Sequence, residues 1–260
     1  MNRIPNTALA LAALAAATAL PFASAQQEPT ALEIIQRIED LMRSDRSYAE
    51  LTMEIITPDW QRTVTMRSYD DREGERSFIH ILSPRRDENT TFLRVEFNLW
   101  MYLPRAERTI RIPPSMMLNS WMGSDFTNDD LVRESSYIDD YDHELTGIEE
   151  LEELDAIPCY HIVMRPKPDA PVTWGWVEVW ISVEPLLPVL YRYYNQRGEL
   201  RKEMIMSEIG EMDGHLLPTV WTMRTMDKPG HSTVIRLESM DFDADIPDRV
   251  FTRQHLRNPR

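Results

Sequence analysis

The spacing of apolar residues changes along the chain and divides it into helical and strand-forming parts. Apolar positions recur at helical spacing after a capping box formed by Thr30 and Glu33, which predicts a helix over about residues 30–44. From Leu51 to Leu103, apolar and polar residues then alternate with a period of two between turns. Because this period is typical of half-buried strands, it predicts an antiparallel meander.

The alternation weakens in the middle of the chain and then returns. Within residues 115–154 we expect only a short strand over 141–145 and a short helical turn over 148–154. In the second half, Gly198 within YNQRGEL predicts a hairpin turn with a positive φ angle. Further strands are expected at residues 159–165, 173–182, 188–195, 199–207, 217–226 and 231–240. The whole pattern predicts one mainly β domain of about ten strands, with an N-terminal helix and a long mid-chain insertion.

The mid-chain insertion contains the sequence SWMGSDFTNDDLV, residues 120–132, in which an apolar run meets an acidic run. Thr127 and Asp130 can form a second capping box, and Phe126 and Leu131 flank it as a hydrophobic staple. These residues predict a short helix that begins directly after Thr127.

The residues before this helix are too apolar for an ordinary exposed loop. Since long loops within a domain are usually functional, we predict that residues 114–135 form a lid or rim over a cavity. Gly123 would supply a flexible joint, and Asp125 would help to control the lid. The alternative is that this segment plugs one end of an ordinary barrel. The predicted contact residues of the lid are Met116, Met117, Trp121, Met122 and Phe126.

Aromatic and methionine side chains are concentrated on the strands of the second half. Methionine is flexible and polarizable, and it suits surfaces that contact variable apolar partners. We therefore predict that these side chains line the same apolar cavity, although a plain core of methionine and aromatic residues is the alternative. The residues concerned are Trp174, Trp176, Trp180, Met204, Met206 and Met223.

The first 25 residues have the features of a secretory signal peptide. Arg3 gives a positive start, residues 8–20 are apolar, and Ala23-Ser24-Ala25 is a cleavage signal. We expect cleavage after Ala25 and a single domain over residues 26–260, exported to a bacterial periplasm. No later stretch has the roughly 20 consecutive apolar residues of a membrane helix.

Composition and motifs argue against several classes of function. The formal net charge of −15 is unfavourable for nucleic-acid binding, which depends on basic surfaces. The six histidines show no zinc-site spacing, and the calcium-like sequence DFDADIPD lacks the glycine and glutamate of a calcium loop. Ser124 does not lie in a nucleophile-elbow motif. We expect no catalytic residue, no metal and no cofactor.

The stretch YLPRAERTIRIPPSMMLNSWMGSDFTNDDL, residues 102–131, resembles the signature of the bacterial outer-membrane lipoprotein-sorting protein family, which is related in fold to the carrier LolA. The family pattern has Phe where this chain has Trp121, and Tyr where it has Asn128. The sequence IPDRVFT, residues 246–252, also resembles the closing segment of the family.

This resemblance implies an α+β fold, mainly β, in which an unclosed antiparallel β-barrel carries an N-terminal helix and a helical lid. It also implies an apolar cavity for lipid or for the acyl chains of lipoproteins, and an RND-type inner-membrane transporter as a partner. LolA carriers use an arginine to hold the lid shut, so Arg105, Arg108 and Arg111 are candidates for that role. An ordinary solvated arginine is the alternative for each of them.

We therefore expect a monomeric periplasmic carrier or chaperone for lipid or lipidated protein. The first alternative is a periplasmic sensor that binds lipid or peptide and regulates an envelope stress response. A hydrolase that acts on envelope lipid through Ser124 is a further alternative, for which we expect no turnover.

Overall fold

A computed structural model describes residues 28–133, 137–152 and 156–259 of the chain. The expected signal peptide lies outside the described residues, and so does the end of the helical turn predicted at 148–154. Among the described residues, no helix combines the length and the apolar character that are needed to cross a bilayer.

The described residues form three α-helices and thirteen strands, joined by turns and by short 3₁₀ helices. The elements are α1 (Ala31–Met42), β1 (Arg46–Ile56), β2 (Gln61–Asp71), β3 (Arg76–Ser83), β4 (Thr91–Val95), β5 (Asn98–Leu103), β6 (Arg108–Arg111), α2 (Asp130–Arg133), β7 (Tyr141–Glu150), β8 (Pro158–Pro166), β9 (Trp176–Ser182), β10 (Leu187–Tyr194), β11 (Leu200–Met212), β12 (His215–Thr225), β13 (Ser232–Asp241) and α3 (Arg253–Arg257).

All thirteen strands belong to one antiparallel sheet. The sheet is unclosed, as the family resemblance implied. Its order is β6-β5-β4-β3-β2-β1-β13-β12-β11-β10-β9-β8-β7, so the first and last strands pair at the centre. The two edge strands, β6 and β7, are consecutive in sequence. The connection between them must therefore run from one edge of the sheet to the other.

The N-terminal helix and its capping box are confirmed. The Glu33 backbone N–H donates to Thr30 Oγ1 at 3.3 Å, and the Thr30 N–H donates to the Glu33 carboxylate at 2.8 Å. One face of α1 buries Ile34, Ile35 and Ile38 against the inner face of the second half of the sheet. Here the inner face means the face that packs against α1 and against the connection from β6 to β7.

Three predictions about the strands need correction. The sheet has thirteen strands rather than about ten, and β6 was missed because all four of its residues are exposed and show no alternation. Strand β7 extends to Glu150, so residues 148–150 are extended rather than helical. Its less exposed positions include His143, Gly147 and Glu149, while Ile148 is exposed, and this hid the period of two. The hairpin at Gly198 is confirmed, with φ of +82°.

The C-terminal segment covers the outer face of β3, β4 and β5. Phe251 and Leu256 pack there with Phe78 and Leu93 in one buried cluster. An ion network holds this segment in place next to the cluster.

The centre of this network is Asp71, which is buried on the outer face. Its carboxylate accepts from the Gly74 N–H at 2.9 Å and from Arg76 Nε at 2.8 Å, and Arg46 lies 3.1 Å away. Arg46 and Arg76 both also contact Asp248, which precedes the C-terminal helix. Burial alone would raise the pKa of Asp71, but the Gly74 N–H and the two guanidinium groups outweigh it and hold this pKa below its ordinary value.

We expect Asp71→Asn to lower the free energy of unfolding by about 2 kcal/mol, because it leaves Arg46 and Arg76 without their buried partner. The lowered pKa means that the contribution of Asp71 is fully present above the ordinary carboxyl pKa and is lost as the pH falls below about 4. Chemical denaturation at several pH values measures both effects. The control is Asp59→Asn in an exposed turn, which should change nothing. Equal stability of the two variants near neutral pH would contradict this account.

Candidate functional site

The crossing segment, residues 112–133, runs over the inner face of the sheet from the β6 edge. It forms a tight hairpin in which Ser120 and Thr127 pair as an isolated bridge and the Trp121 N–H donates to the Phe126 carbonyl at 2.8 Å. Met122 and Gly123 at its tip both have positive φ, +53° and +82°. For Met122 this conformation is unfavourable, and residues held in such conformations often mark functional sites.

Asp125 attaches the crossing segment to the centre of the sheet. Its buried carboxylate accepts from Thr225 Oγ1 at 2.7 Å and from Thr233 Oγ1 at 2.8 Å. Its backbone N–H donates to Thr233 Oγ1 at 2.9 Å. A buried carboxylate needs such donors, so Asp125 fixes the hairpin to β12 and β13.

Asp130 provides the second attachment. The predicted capping box is present, because the Thr127 N–H donates to Asp130 at 2.6 Å and the Asp130 N–H donates to Thr127 Oγ1 at 3.3 Å. The same carboxylate lies 2.8 Å from Nζ of Lys202 on β11, whose side chain is buried and lies over the Trp174 ring. The cap of α2 therefore also joins the crossing segment to the second half of the sheet.

An arginine does hold the crossing segment, but it is not one of the predicted three. Arg62 on β2 donates to the carbonyl oxygen of Met122. Arg105 donates to the Arg85 carbonyl, Arg111 donates to Asn98, and both are exposed. Arg108 is exposed on β6, and no contact of the three predicted arginines with the hairpin is seen among the described residues.

A pocket of about 700 Å³ lies between the hairpin and the inner face of β2, β4 and β5. Ligand sites in proteins commonly have volumes of about 300–1,000 Å³ and mostly apolar walls. The apolar lining residues are Trp60, Phe92, Met101, Leu103, Ile112, Met116, Trp121 and Met122, and the polar ones include Arg62, Arg86, Asp87 and Asn128. The pocket therefore has an apolar floor with charged groups beside it.

A second, smaller cavity lies between α1, Phe126 and the inner face of β10, β11 and β12. Its volume is about 160 Å³, and Met204, Met206 and Met223 line it together with Tyr191 and Tyr193. A cavity of about 150 Å³ holds a molecule the size of benzene. This cavity is therefore too small for a long acyl chain in the present conformation.

The predicted contact residues separate into three groups. Met116, Trp121 and Met122 reach the larger pocket, and Met117 packs in the apolar cluster beside it. Phe126, Met204, Met206 and Met223 line the smaller cavity. Trp174 packs beside that cavity and contacts Tyr193.

Trp176 and Trp180 do not line either cavity. Val177 and Val179 lie in the inner cluster, and successive side chains of a strand point to opposite faces, so both tryptophans lie on the outer face. There Trp180 stacks on His161 and packs with Cys159, while Trp176 stacks on Tyr194. Their prediction as cavity residues is corrected for this reason.

Trp121 has a structural role as well as a place in the pocket wall. Its side chain is only 3% exposed and meets Phe92 edge-on, with ring centroids 5.5 Å apart. It belongs to the apolar cluster over the first half of the sheet. At this residue the crossing segment acts as a plug, whereas Met116 at 43% exposure forms an open rim.

Several polar groups of the inner face hydrogen-bond to other groups of the protein. The hydroxyls of Tyr137 and Tyr193 lie 3.1 Å apart, and burial raises the pKa of both phenols well above the usual value. Ser124 Oγ donates to the Trp121 carbonyl at 2.7 Å and accepts from the Phe126 N–H, as a turn residue does. Within the part of the chain that the structure describes, no group of three metal-binding side chains converges.

Sequence reasoning missed the residues that attach the crossing segment to the sheet. Lys202 carries a usable signal, because it occupies the same face of β11 as Met204 and Met206 and so places a charge in an apolar row. Thr225 and Thr233 carry no such signal. Threonine is common in strands, and only the three-dimensional approach of Asp125 gives the two residues their role.

A family model described as "Uncharacterized protein"-like matches residues 73–258. No curated protein matches the sequence. The fold is similar to that of a DUF1329 family protein from Desulfovibrio piger, with 25% identity, 87% of this chain and 97% of that chain covered, and a TM-score of 0.79.

Two further structures share the fold at 21% identity. One is a putative outer membrane lipoprotein-sorting protein domain from Vibrio parahaemolyticus. The alignment covers 88% of this chain and 98% of that domain, with a TM-score of 0.75. The other is a LolA superfamily protein from Nitrosomonas europaea. The alignment covers 87% of this chain and 99% of that protein, with a TM-score of 0.72. The resemblance seen in residues 102–131 is therefore confirmed for the fold.

We expect Thr233→Val to loosen the crossing segment without unfolding the sheet, because it removes one donor and one acceptor from Asp125. Hydrogen exchange of the amides within residues 115–133 should accelerate about tenfold or more, which corresponds to roughly 1.4 kcal/mol. The matched control is Thr219→Val on β12, whose hydroxyl bonds only to the exposed Glu208 carbonyl. Exchange mass spectrometry that shows equal protection in the two variants would rule out this role for Asp125.

Proposed function

Since the chain belongs to the "Uncharacterized protein"-like family and has the fold of outer-membrane lipoprotein-sorting proteins, we propose that it is a carrier for lipid or for the acyl chains of lipoproteins. In this proposal the protein works in the bacterial periplasm and performs no catalytic step. An RND-type inner-membrane transporter is a partner that would supply or receive the cargo.

The observation that carries the proposal is the pocket of about 700 Å³ on the inner face. Since about 150 Å³ holds the six carbons of benzene, a 16-carbon chain needs on the order of 400 Å³. The larger pocket meets this requirement and the smaller cavity does not. Its floor of Phe92, Met101, Leu103 and Ile112 offers an acyl chain apolar contact along two neighbouring strands.

Burial of an acyl chain supplies enough free energy for carriage without a covalent step. Each buried CH₂ contributes about 0.8 kcal/mol, so a 16-carbon chain contributes on the order of 10 kcal/mol before the costs of ordering it. The crossing segment would regulate loading, because it forms one wall of the pocket and is held to the sheet by the polar contacts of Arg62, Asp125 and Asp130.

The test uses the mature protein purified from a periplasmic extract. Native mass spectrometry should show a bound amphiphile of defined mass. After its removal, a fluorescent 16-carbon probe with an uncharged head should bind. Met101→Trp should lower the affinity for this probe at least about tenfold, since the larger side chain fills the pocket floor. The matched control is Leu216→Trp at an exposed position outside the pocket, and thermal unfolding verifies that both variants fold.

Two outcomes would contradict the proposal. If the protein carries no amphiphile and takes up no probe, it is not a lipid carrier. If the probe binds but Met101→Trp and Leu216→Trp bind it equally, the acyl chain lies elsewhere, and a pocket of about 440 Å³ beside Ile205 and Ile209 becomes the next candidate.

A further inference from the structure

The mouth of the larger pocket is locally basic in a strongly acidic protein. The chain carries a formal net charge of −15. Yet no acidic residue occurs between Glu107 and Asp125, a stretch that includes Arg108 and Arg111. The arginines nearest the pocket come from three different elements, β2, the turn from β3 to β4, and β6.

Arg62 is the innermost of these arginines. It lines the pocket, its side chain is only 18% exposed, and it is held by Met122 and by Asp87, whose carboxylate lies 3.4 Å from its Nη1. Among the residues that the structure describes, its buried Nε has no hydrogen-bond partner. A buried donor without an acceptor is unfavourable, so this edge of the guanidinium group suits an anionic ligand.

Arg86 and Arg108 lie further out. Arg86 lines the pocket with an exposed side chain, and its Nε is 4.0 Å from Asp87. Arg108 on β6 pairs directly with Leu103, which lines the pocket, and directly paired residues of an antiparallel sheet share a face. Arg62 and Arg86 thus flank a single acid, Asp87, and Arg108 lies on the sheet face that Leu103 shares with the pocket floor.

The charged residues of the adjoining turns do not reverse the local excess of positive charge. The turn from β3 to β4 adds Arg85 and Glu88, and the turn from β5 to β6 adds Arg105 and Glu107. Arg105 donates to the Arg85 carbonyl, so the two turns touch. The whole mouth therefore keeps a positive excess.

From this arrangement, which rests on the proposed function, we propose that the cargo is a single-chain or multi-chain amphiphile with an anionic head. Its apolar chain lies on the floor formed by Phe92, Met101 and Leu103, and its carboxylate or phosphate oxygens lie against Arg62, Arg86 and Arg108. Guanidinium groups bind both kinds of oxyanion in a planar, bidentate manner, and the apolar surroundings strengthen the attraction. Asp87 pairs with Arg62 at 3.4 Å and so orients that arginine.

The experiment compares ligands that differ only in the charge of the head. Palmitic acid, hexadecyl phosphate and hexadecanol are titrated into the delipidated mature protein near neutral pH, each by displacement of the uncharged fluorescent probe. The acid and the phosphate should each bind at least about tenfold more tightly than the alcohol. Added salt should reduce this preference at the exposed arginines.

Two variants test the arginines without disturbing the crossing segment. Arg86→Gln and Arg108→Gln, alone and together, should remove most of the preference for the charged head, measured as the ratio of the affinities for palmitic acid and hexadecanol. The matched control is Arg197→Gln in the exposed hairpin between β10 and β11, which should keep the full preference. Arg62 is not substituted, because it also holds Met122.

The outcomes separate this inference from the proposed function. If hexadecanol binds as tightly as palmitic acid, the anionic-head proposal is wrong although the carrier proposal stands. If the double variant keeps the preference, the head lies away from these arginines and the proposal is likewise wrong. If none of the three ligands binds, the carrier proposal itself fails.

Competition by inorganic phosphate tests whether the arginines bind a free anion or the head of an amphiphile. Phosphate at millimolar concentration should compete weakly with hexadecyl phosphate, because it has no chain to bury. Equal competition by inorganic phosphate would mean that the arginines form a free-anion site, and the amphiphile proposal would be overturned.

Discussion

The connection between the two edge strands is the constraint on which the rest of this structure depends. Strands β6 and β7 are consecutive in sequence but lie at opposite edges of a thirteen-stranded sheet. The chain between them must cross the open side, and it does so carrying the buried carboxylate of Asp125 and the partly buried carboxylate of Asp130. Asp125 and Asp130 are stable there only because Thr225, Thr233 and Lys202 satisfy them. The position of the crossing segment is thus set by a few polar contacts rather than by strand pairing.

This mode of attachment separates the inner face into two spaces. Phe126 of the crossing segment packs against both inner apolar clusters and so stands between them. On one side lies the small cavity under α1, and on the other lies the larger pocket over β2, β4 and β5. The half of the sheet with the most methionine and tryptophan therefore does not provide the larger space. That half is instead filled by α1 and by its own side chains.

Sequence reasoning succeeded where burial imposes a regular period. Helix α1, its capping box and most strands followed from the alternation, and so did the second capping box at Thr127. It failed at β6, because an edge strand with four exposed residues has no buried face to impose a period. Alternation also assigns residues to two faces without stating which one is inside. For this reason Trp176 and Trp180 were placed in the cavity, although they stack on the outer face.

The candidate site was predictable in the apolar residues of the crossing segment, but not in its apolar floor or in its polar part. Met116, Trp121 and Met122 are conspicuous in a loop, since an exposed apolar run is unusual in sequence. The arginine that contacts this loop, Arg62, lies sixty positions away in an ordinary strand, and only the fold joins them. Long-range polar contacts of this kind leave no periodic signal.

The strengths of the contacts show which part of the crossing segment can move. Hydrogen bonds to charged groups contribute about 1.5–3 kcal/mol each, so the contacts of Asp125 and Asp130 together amount to several kcal/mol. Displacing Trp121 would in addition expose a large side chain that is now 3% exposed, and burying such a side chain is worth about as much again. Met116 is 43% exposed and makes none of these contacts, so displacing its side chain costs far less free energy. Met116 lies at the rim of the larger pocket and is the part of the pocket wall with the fewest of these contacts to the sheet.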